Sequence, residues 1–269
     1  MTAIRPAAVA GVFYPGEAQT LAGDVRSYLA AAASQETGVP KALIVPHAGY
    51  MYSAAIAAHA YTRIAAARDT IRRVVLLGPT HRVWVRGLAL PLARAFATPL
   101  GSVEIDAAAV AAALALPQVV QSDQVHAQEH SLEVQLPFLQ ALLADFKLVP
   151  FAVGDASAPQ VAEVLDLLWG GAETLIVISS DLSHYHRYAE AQAIDRGTAQ
   201  EILDFNPHIE HEQACGATPI NGLLLCARRR GLKAGLLDLR NSADTAGDPS
   251  RVVGYAAFAF SEDESHGHA

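Results

Sequence analysis

The sequence predicts a layered α/β protein with a mostly parallel central sheet flanked by helices. Short apolar, β-branched runs alternate with Ala- and Leu-rich stretches of helical length, and the first four runs lack polar alternation. Such alternation of elements is typical of layered α/β domains, and uniformly apolar strands are buried on both faces of a parallel sheet. At 269 residues and 52% hydrophobic side chains, the chain is long enough to bury roughly 70–75% of its unfolded surface in one core.

The predicted elements follow one another along the whole chain. Strands are predicted at 42–45, 73–77, 147–153, 175–179 and 252–260, with 234–239 pairing antiparallel to the last of them at an edge. Helices are predicted at 17–33, 53–66, 105–114, 132–143, 158–168, 189–203 and 220–230. Because no linker or repeat divides this series, we expect a single domain over residues 1–260 and a flexible acidic tail over 261–269.

The composition argues against several classes of function. A net charge of −8 argues against a nucleic-acid groove and against attraction to anionic membranes. The first residues lack the apolar core of a signal peptide, and no uncharged apolar run reaches the about 18 residues of a membrane span. The two cysteines cannot form a disulfide framework, which indicates a reducing compartment. We therefore expect a cytoplasmic protein without a nucleic-acid or membrane partner.

The chain carries eleven histidines, and three of them follow predicted buried strands. These three are His47, His81 and His184, the last preceded by Asp181. Because ligands bind beyond the carboxyl ends of the strands in open α/β sheets, we expect the three imidazoles on one common face. Neutral imidazole is the commonest protein metal ligand, so the pattern favours a metal centre. The alternative for any single loop histidine is a solvated or helix-capping role.

Cys215 is a candidate for a further ligand. Thr218 is predicted to cap the following helix, and Pro219 to be its first residue. A cysteine just before a helix N-terminus has its thiolate favoured by the helix dipole, which suits a metal ligand or a nucleophile. The alternative for Cys215 is a small buried residue. Cys226 lies in an apolar helical segment and is interpreted as an inert core thiol.

Residues 126–130 spell H-x-x-E-H, the inverted zinc-protease pattern. That chemistry needs His126 and His130 on one helix face, and the more convincing helix begins only after them. A zinc protease is therefore the weakest candidate, and Glu129 and His130 can instead line the pocket from a loop. The phosphate-loop, dinucleotide-binding and G-x-S-x-G esterase motifs do not occur in the sequence.

Several blocks of the sequence resemble the signatures of Memo-family proteins. In chain order, the blocks are RPAAVAGVFYP from Arg5, PHAGY from Pro46, GPTH from Gly78, EHSLE from Glu129, SSDLSH from Ser179, CG from Cys215 and VGY from Val253. They extend from Arg5 to about Phe260, so the resemblance covers nearly the whole chain. Bacterial and archaeal members are named AmmeMemoRadiSam system protein B, after associated AMMECR-like and radical-SAM proteins.

The resemblance implies a single α/β domain similar to class III extradiol ring-cleaving dioxygenases, which bind non-haem Fe(II). The site residues that it implies are His47, His81 and Cys215 as metal ligands, His184 as the acid–base histidine with Asp181 close by, and His130 as another pocket residue. The dioxygenases complete their ligand set with a carboxylate, which Cys215 replaces here. A thiolate shifts the preference toward copper or zinc and alters the redox chemistry of iron.

Two functions of different class are consistent with these observations. The first is a non-haem, metal-dependent redox enzyme, dioxygenase-like and of unknown substrate, with His184 transferring protons. Fe(II) is the expected metal, and copper or zinc are the other candidates. The alternative is a non-catalytic module that binds a ligand or a partner in the same pocket. AMMECR-like and radical-SAM proteins are the expected partners in either case.

Overall fold

The computed structural model describes residues 4–32 and 38–262, and the expected tail lies outside the described residues from position 263 onward. The strands are β1 (Ile4–Arg5), β2 (Ala42–Val45), β3 (Arg73–Pro79), β4 (Leu88–Leu90), β5 (Ala95–Thr98), β6 (Gly101–Glu104), β7 (Val119–Gln121), β8 (Lys147–Val153), β9 (Thr174–Ser179), β10 (His184–His186), β11 (Lys233–Asn241) and β12 (Val252–Ser261). The helices are α1 (Ala18–Ala31), α2 (Tyr50–Tyr61), α3 (Ala107–Ala113), α4 (Asp123–Ala127), α5 (Leu136–Leu142), α6 (Ala158–Leu167), α7 (Tyr188–Leu203) and α8 (Ala217–Arg229).

The central sheet confirms the predicted α/β class and is mixed at its margins. Its strand order is β10-β12-β2-β9-β3-β8-β4-β7, and β11 also pairs with β12. The four central strands β2, β9, β3 and β8 are parallel neighbours. Strand β12 runs antiparallel to β2 and, as predicted, to β11, while β4 runs antiparallel to β8. The parallel pairing that the apolar runs predict thus holds in the centre of the sheet, where helices cover both faces.

Alternating side chains of the central strands build two apolar cores, one on each face of the sheet. In β3, Val74 and Leu76 pack into the core beneath α1, α2 and α5, whereas Val75 and Leu77 pack into the core beneath α3, α6 and α8. Successive side chains of a strand point to opposite faces, so burial on both sides requires an apolar residue at every position. This explains the absence of polar alternation in the sequence. No helix within the described ranges is long and apolar enough to cross a membrane.

The start of α8 differs from the prediction. Gly216 precedes the helix and Ala217 begins it, so Thr218 is not the cap and Pro219 is not the first residue. A Cβ atom at Gly216 would lie 2.6 Å from the Cβ atom of Ser180. The Gly216 N–H donates to the Ser180 hydroxyl at 2.8 Å. The close approach of two segments that are distant in sequence therefore decides where this helix begins.

The helix predicted over 132–143 is also divided. A short 3₁₀ turn covers Glu133–Gln135, and α5 begins only at Leu136 with Pro137 in its first turn. Proline is tolerated in the first turn of a helix because its missing N–H would have no partner there. The residues before it form a loop and turn that reach the carboxyl edge of the central sheet.

Candidate metal centre

The carboxyl ends of three neighbouring parallel strands carry the polar residues of the site. His47 comes two residues after β2, His81 two residues after β3, and Asp181 two residues after β9. Cys215 directly precedes the cap of α8, and His130 comes from the loop between α4 and α5. The strand order places β9 between β2 and β3, so these segments meet at one edge of the sheet.

Three imidazoles form a group that can hold a metal ion. His47, His81 and His130 each offer one ring nitrogen, and these atoms lie within 4.8 Å of one another. No other such group of histidine, cysteine and acidic side chains was found in the described part of the chain. His47 is buried, His130 half-buried and His81 exposed, so the group is open to solvent on one side. His47 and His81 are the histidines that the strand pattern predicts, and His130 is the predicted pocket residue.

The Ser179 hydroxyl fixes the tautomer of His47, because its own hydrogen is already donated elsewhere. Nδ1 of His47 lies 2.9 Å from Ser179 Oγ. That hydroxyl donates its hydrogen to the Ser131 carbonyl at 2.6 Å and accepts from Gln135 Nε2 at 2.8 Å. Since its hydrogen is committed, Ser179 can only accept from the imidazole, so Nδ1 carries the proton. Nε2 of His47 is therefore free to bind a metal ion.

The Glu129 carboxylate orients His81 in a comparable way. It accepts the backbone N–H of His81 at 2.5 Å and lies 2.9 Å from His81 Nδ1. Burial raises the pKa of Glu129, but the hydrogen bonds and charge of His81 and further N–H donors outweigh burial and lower it to about 2. Because an ionised carboxylate only accepts, Nδ1 of His81 carries a proton, and Nε2 is the ring nitrogen left to bind a metal ion. A carboxylate behind an imidazole is the common support of metal-binding histidines.

The three imidazoles differ in how their ring planes are oriented toward one another: two pairs are steeply inclined and the third pair is stacked. His47 is steeply inclined to His81 at 75° and to His130 at 87°, with ring centroids 5.1 and 5.5 Å apart. His81 and His130 stack, with centroids 4.6 Å apart and an interplanar angle of 24°. A nitrogen lone pair lies in its ring plane, so stacked rings direct their lone pairs side by side. His47 can thus share an ion with either neighbour, whereas His81 and His130 together require one ring to turn.

Cys215 lies outside this group but in contact with its buried member. Its Sγ is 3.3 Å from His47 Nε2 and 3.8 Å from Ser180 Oγ. The first distance is within the roughly 4.4 Å that one Zn–N and one Zn–S bond can span together. Burial raises the pKa of the thiol to about 12, and the charge of Asp181 adds to this effect. An ion on His47 Nε2 is therefore within reach of Cys215.

Burial keeps two of the imidazoles neutral. It lowers the pKa of His47 to about 3, with a further contribution from neighbouring His81. It lowers the pKa of His130 to about 4, with a further contribution from His47. Only a neutral imidazole binds a metal ion, so both side chains are in the binding form across the physiological pH range.

Asp181 and His184 have different positions relative to the imidazole group. Asp181 Oδ1 accepts the backbone N–H of His47 at 2.7 Å. Burial raises the pKa of Asp181, while this N–H and the charge of His184 act in the opposite direction. His184 lies in β10 opposite Val253 of β12 and is outside the group of three. Asp181 therefore contacts the backbone of a proposed ligand, and the catalytic roles of Asp181 and His184 stay predictions.

The sequence predicts no individual role for three residues that support the site. Two of them, Ser179 and Ser131, lie in the blocks that resemble the Memo family, and only that resemblance points to them. No sequence pattern points to Gln135. Its side-chain amide donates to Ser179 Oγ at 2.8 Å and to the Pro46 carbonyl at 2.9 Å. Their roles depend on contacts between distant segments, which the sequence pattern does not encode.

The zinc-protease geometry is absent from residues 126–130. Helix α4 ends at Ala127, before His130. His126 Nε2 lies 2.9 Å from the Ala89 carbonyl oxygen, and its ring packs against Phe96 at 5.7 Å. His126 is therefore a buried structural residue outside the imidazole group.

We expect His126→Ala to leave the metal content of the purified protein unchanged. The substitution removes the hydrogen bond to the buried Ala89 carbonyl, which lowers the free energy of unfolding by about 1–3 kcal/mol. Elemental analysis and thermal denaturation measure the two effects separately. A folded variant that has lost its metal would place His126 among the ligands.

The fold and site define a class: a layered α/β protein with clustered imidazoles at the carboxyl edge of its parallel strands. A family model described as Memo-like protein matches residues 5–259. A MEMO1 family protein of Methanosarcina mazei is 35% identical over 270 residues, covering 94% of this chain and 98% of the relative. Another, of Aquifex aeolicus, is 36% identical over 270 residues and covers 96% and 99%. The chain belongs to the Memo family, which confirms the resemblance of its sequence blocks.

A solved structure shares the fold. The crystal structure of an uncharacterized protein from Escherichia coli K12 superimposes with a TM-score of 0.50. The match covers 81% of this chain and 98% of the other, at 12% sequence identity. Identity this low supports a common architecture and nothing about the site.

Proposed function

We propose that the protein is a metal-dependent redox enzyme, dioxygenase-like in its chemistry, whose ion is held by His47, His81 and Cys215. The proposal depends on one observation, the convergence of two imidazoles in defined tautomers at the carboxyl edge of the parallel strands, with a thiol beside one of them. This edge is where open α/β sheets bind their ligands.

The donor atoms fit a metal ion better than they fit a cysteine nucleophile. A nucleophilic cysteine needs a stabilised thiolate, yet burial raises the pKa of Cys215 to about 12. Coordination deprotonates a thiol outright, so the same buried cysteine is well suited to be a ligand. His47 already presents a free Nε2 and needs no change of protonation, while the hydrogen bond from His81 Nδ1 to Glu129 leaves Nε2 of that ring to bind the ion. A bound ion would supply Lewis-acid and, if iron or copper, redox chemistry at this edge.

His130 is assigned to the pocket rather than to the third ligand position. Its ring stacks on His81, so the two lone pairs do not converge as the rings stand. Neutral at physiological pH, with a pKa lowered to about 4 by burial, its imidazole can accept a hydrogen bond from a substrate. His184 is proposed as the proton carrier, and Asp181 holds the backbone of His47.

Fe(II) is the metal that we propose, with copper and zinc as the other candidates. Imidazole suits all three metals, while a thiolate favours copper and zinc. Similarity of the family to non-haem iron dioxygenases supports Fe(II). Elemental analysis of protein purified without oxygen, followed by reloading of the apoprotein with each metal, distinguishes them.

The redox reaction is tested by oxygen consumption with a panel of catechol-like compounds. We expect uptake by the Fe(II)-loaded protein and loss of uptake in His184→Ala, which should keep its metal. Fully loaded protein that consumes no oxygen across a broad panel would contradict the enzymatic proposal.

A non-catalytic module that binds a ligand or a partner is the second candidate. Cys215 in the place of the dioxygenase carboxylate favours it, because a thiolate changes the redox properties of bound iron. The partners that we propose are AMMECR-like and radical-SAM proteins. Stable co-purification with either of them, together with the absence of oxygen uptake, would support this function over the first.

Glu129→Gln is expected to weaken metal affinity about 10- to 100-fold. The amide has nearly the shape of the carboxylate but lacks its charge, so the hydrogen bond to His81 Nδ1 weakens and the ring is less well oriented. Competition with a chromophoric chelator measures the dissociation constant. Glu163→Gln is a matched control, since Glu163 accepts a side-chain hydrogen bond from Gln118 at 2.8 Å away from the site. Equal affinities in both variants would exclude an orienting role for Glu129.

A further inference from the structure

We propose that Arg5 and Glu133 are positioning residues for the metal centre. The proposal rests on the proposed metal binding. Arg5 holds the backbone of the loop that carries Glu129, and Glu133 holds the segment that packs against His130. The two side chains form an ion pair with each other, 4% and 0% exposed respectively.

Glu133 binds a single stretch of chain with both of its carboxylate oxygens. Oε1 accepts the N–H of Val9 at 3.0 Å and the hydroxyl of Tyr14 at 2.5 Å. Oε2 accepts the N–H of Ala8 at 2.7 Å and pairs with Arg5. A buried carboxylate is tolerated only when it is fully paired, and all four donors come from the same stretch near the start of the chain. The position of that stretch is therefore set by one side chain.

Arg5 connects Glu133, and the stretch of chain that Glu133 binds, to the loop that carries Glu129 beside the imidazoles. Its Nε donates to the carbonyl of His126 at 2.8 Å, and its second terminal nitrogen donates to the carbonyl of Glu129 at 2.6 Å. The guanidinium also packs over the ring of Phe96, 4.8 Å from the centroid. The planar fork of arginine can hold both carbonyls and the carboxylate at once, whereas the single ammonium group of lysine cannot reproduce this geometry.

Two contacts link the Arg5–Glu133 ion pair to the imidazoles of the site. The loop that Arg5 holds places the Glu129 carboxylate 2.9 Å from His81 Nδ1. The stretch that Glu133 holds places the ring of Phe13 with its centroid 4.7 Å from that of His130. A single buried ion pair thus sets both the support of one proposed ligand and one wall of the pocket.

A purely structural ion pair would behave differently. If Arg5 and Glu133 only stabilised the fold, their replacement would lower the melting temperature and leave the metal affinity of the folded protein unchanged. The chain offers a second, less buried ion pair as a control, that of Arg73 and Asp106, whose Nε and Oδ2 atoms are 2.8 Å apart. Arg73 begins β3, at the end of the strand opposite the site.

The experiment compares Arg5→Lys and Glu133→Gln with the control variants Arg73→Lys and Asp106→Asn. Each protein is checked for folding by circular dichroism and titrated with Co²⁺, whose absorption spectrum reports ligand geometry. Zn²⁺ affinity is measured by chelator competition. We expect the first two variants to raise the dissociation constant about tenfold or more and to alter the Co²⁺ spectrum. The control variants should change only the melting temperature.

A milder variant tests the same inference if the first two do not fold. Tyr14→Phe removes one hydrogen bond from Glu133 and leaves the ion pair in place. We expect a smaller rise in the dissociation constant, about threefold, by the same mechanism. Folded variants with wild-type affinity and spectrum would overturn the inference alone. A wild-type protein that does not bind Co²⁺ or Zn²⁺ would overturn the proposed metal site, and this inference with it.

Discussion

Replacement of His47 or His81 by alanine is expected to remove stoichiometric metal from the purified protein. Each residue directs one ring nitrogen, Nε2, away from its supporting hydrogen bond and toward the proposed ion, so each replacement removes one donor atom. Metal sites with four ligands bind with roughly 10–16 kcal/mol, so one ligand contributes about 3–4 kcal/mol. Loss of one ligand should therefore weaken binding about 100- to 1,000-fold.

The control for this prediction is His208→Ala, which removes an exposed histidine. Elemental analysis and chelator competition on all three variants measure the effect. Circular dichroism must show that they are folded, because His47→Ala leaves the buried Ser179 hydroxyl without one partner, at about 1–3 kcal/mol. Wild-type metal content in both His47→Ala and His81→Ala would contradict the proposed site.

Cys215→Ala is expected to weaken binding to a similar extent and to change the pH dependence of metal affinity. Burial raises the pKa of the thiol to about 12, so the free protein carries this proton at neutral pH and must release it to an ion. His47 and His130 release none, since burial lowers their pKa values to about 3 and about 4. Because rising pH favours the loss of a proton, the thiol makes wild-type affinity rise about tenfold for each pH unit below its pKa.

Calorimetry in buffers of different ionisation enthalpy counts the protons released on binding. We expect wild-type protein to release one proton more than Cys215→Ala at pH 7. Cys226→Ala is the matched control, because burial raises the pKa of that thiol to about 12 as well, while its Sγ contacts the Ala162 carbonyl at 3.4 Å, away from the imidazoles. If Cys215→Ala kept wild-type affinity and proton release, the third ligand would be His130.

The central strands were predictable because their signal is local. The bounds of β2 and β8 agree with the prediction, since buried strands need an apolar side chain at each successive position. Strands β4 to β7, with three or four residues each, were missed. Such short strands depend on the neighbours with which they pair more than on their own composition. The start of α8 was predicted wrongly for a related reason, because it depends on the close approach of Gly216 to Ser180, which is distant in sequence.

By itself, the sequence determined the α/β class, the family and the edge of the sheet at which His47, His81 and Asp181 are placed. These features follow from patterns that extend over a few neighbouring residues. Only the tertiary structure decided which imidazole nitrogens are free and that Cys215 touches His47, 168 positions away. It also decided that Arg5 pairs with Glu133, across 128 positions. Tautomers and ligand contacts depend on distances between remote segments, and packing sets those distances where local periodicity carries no information.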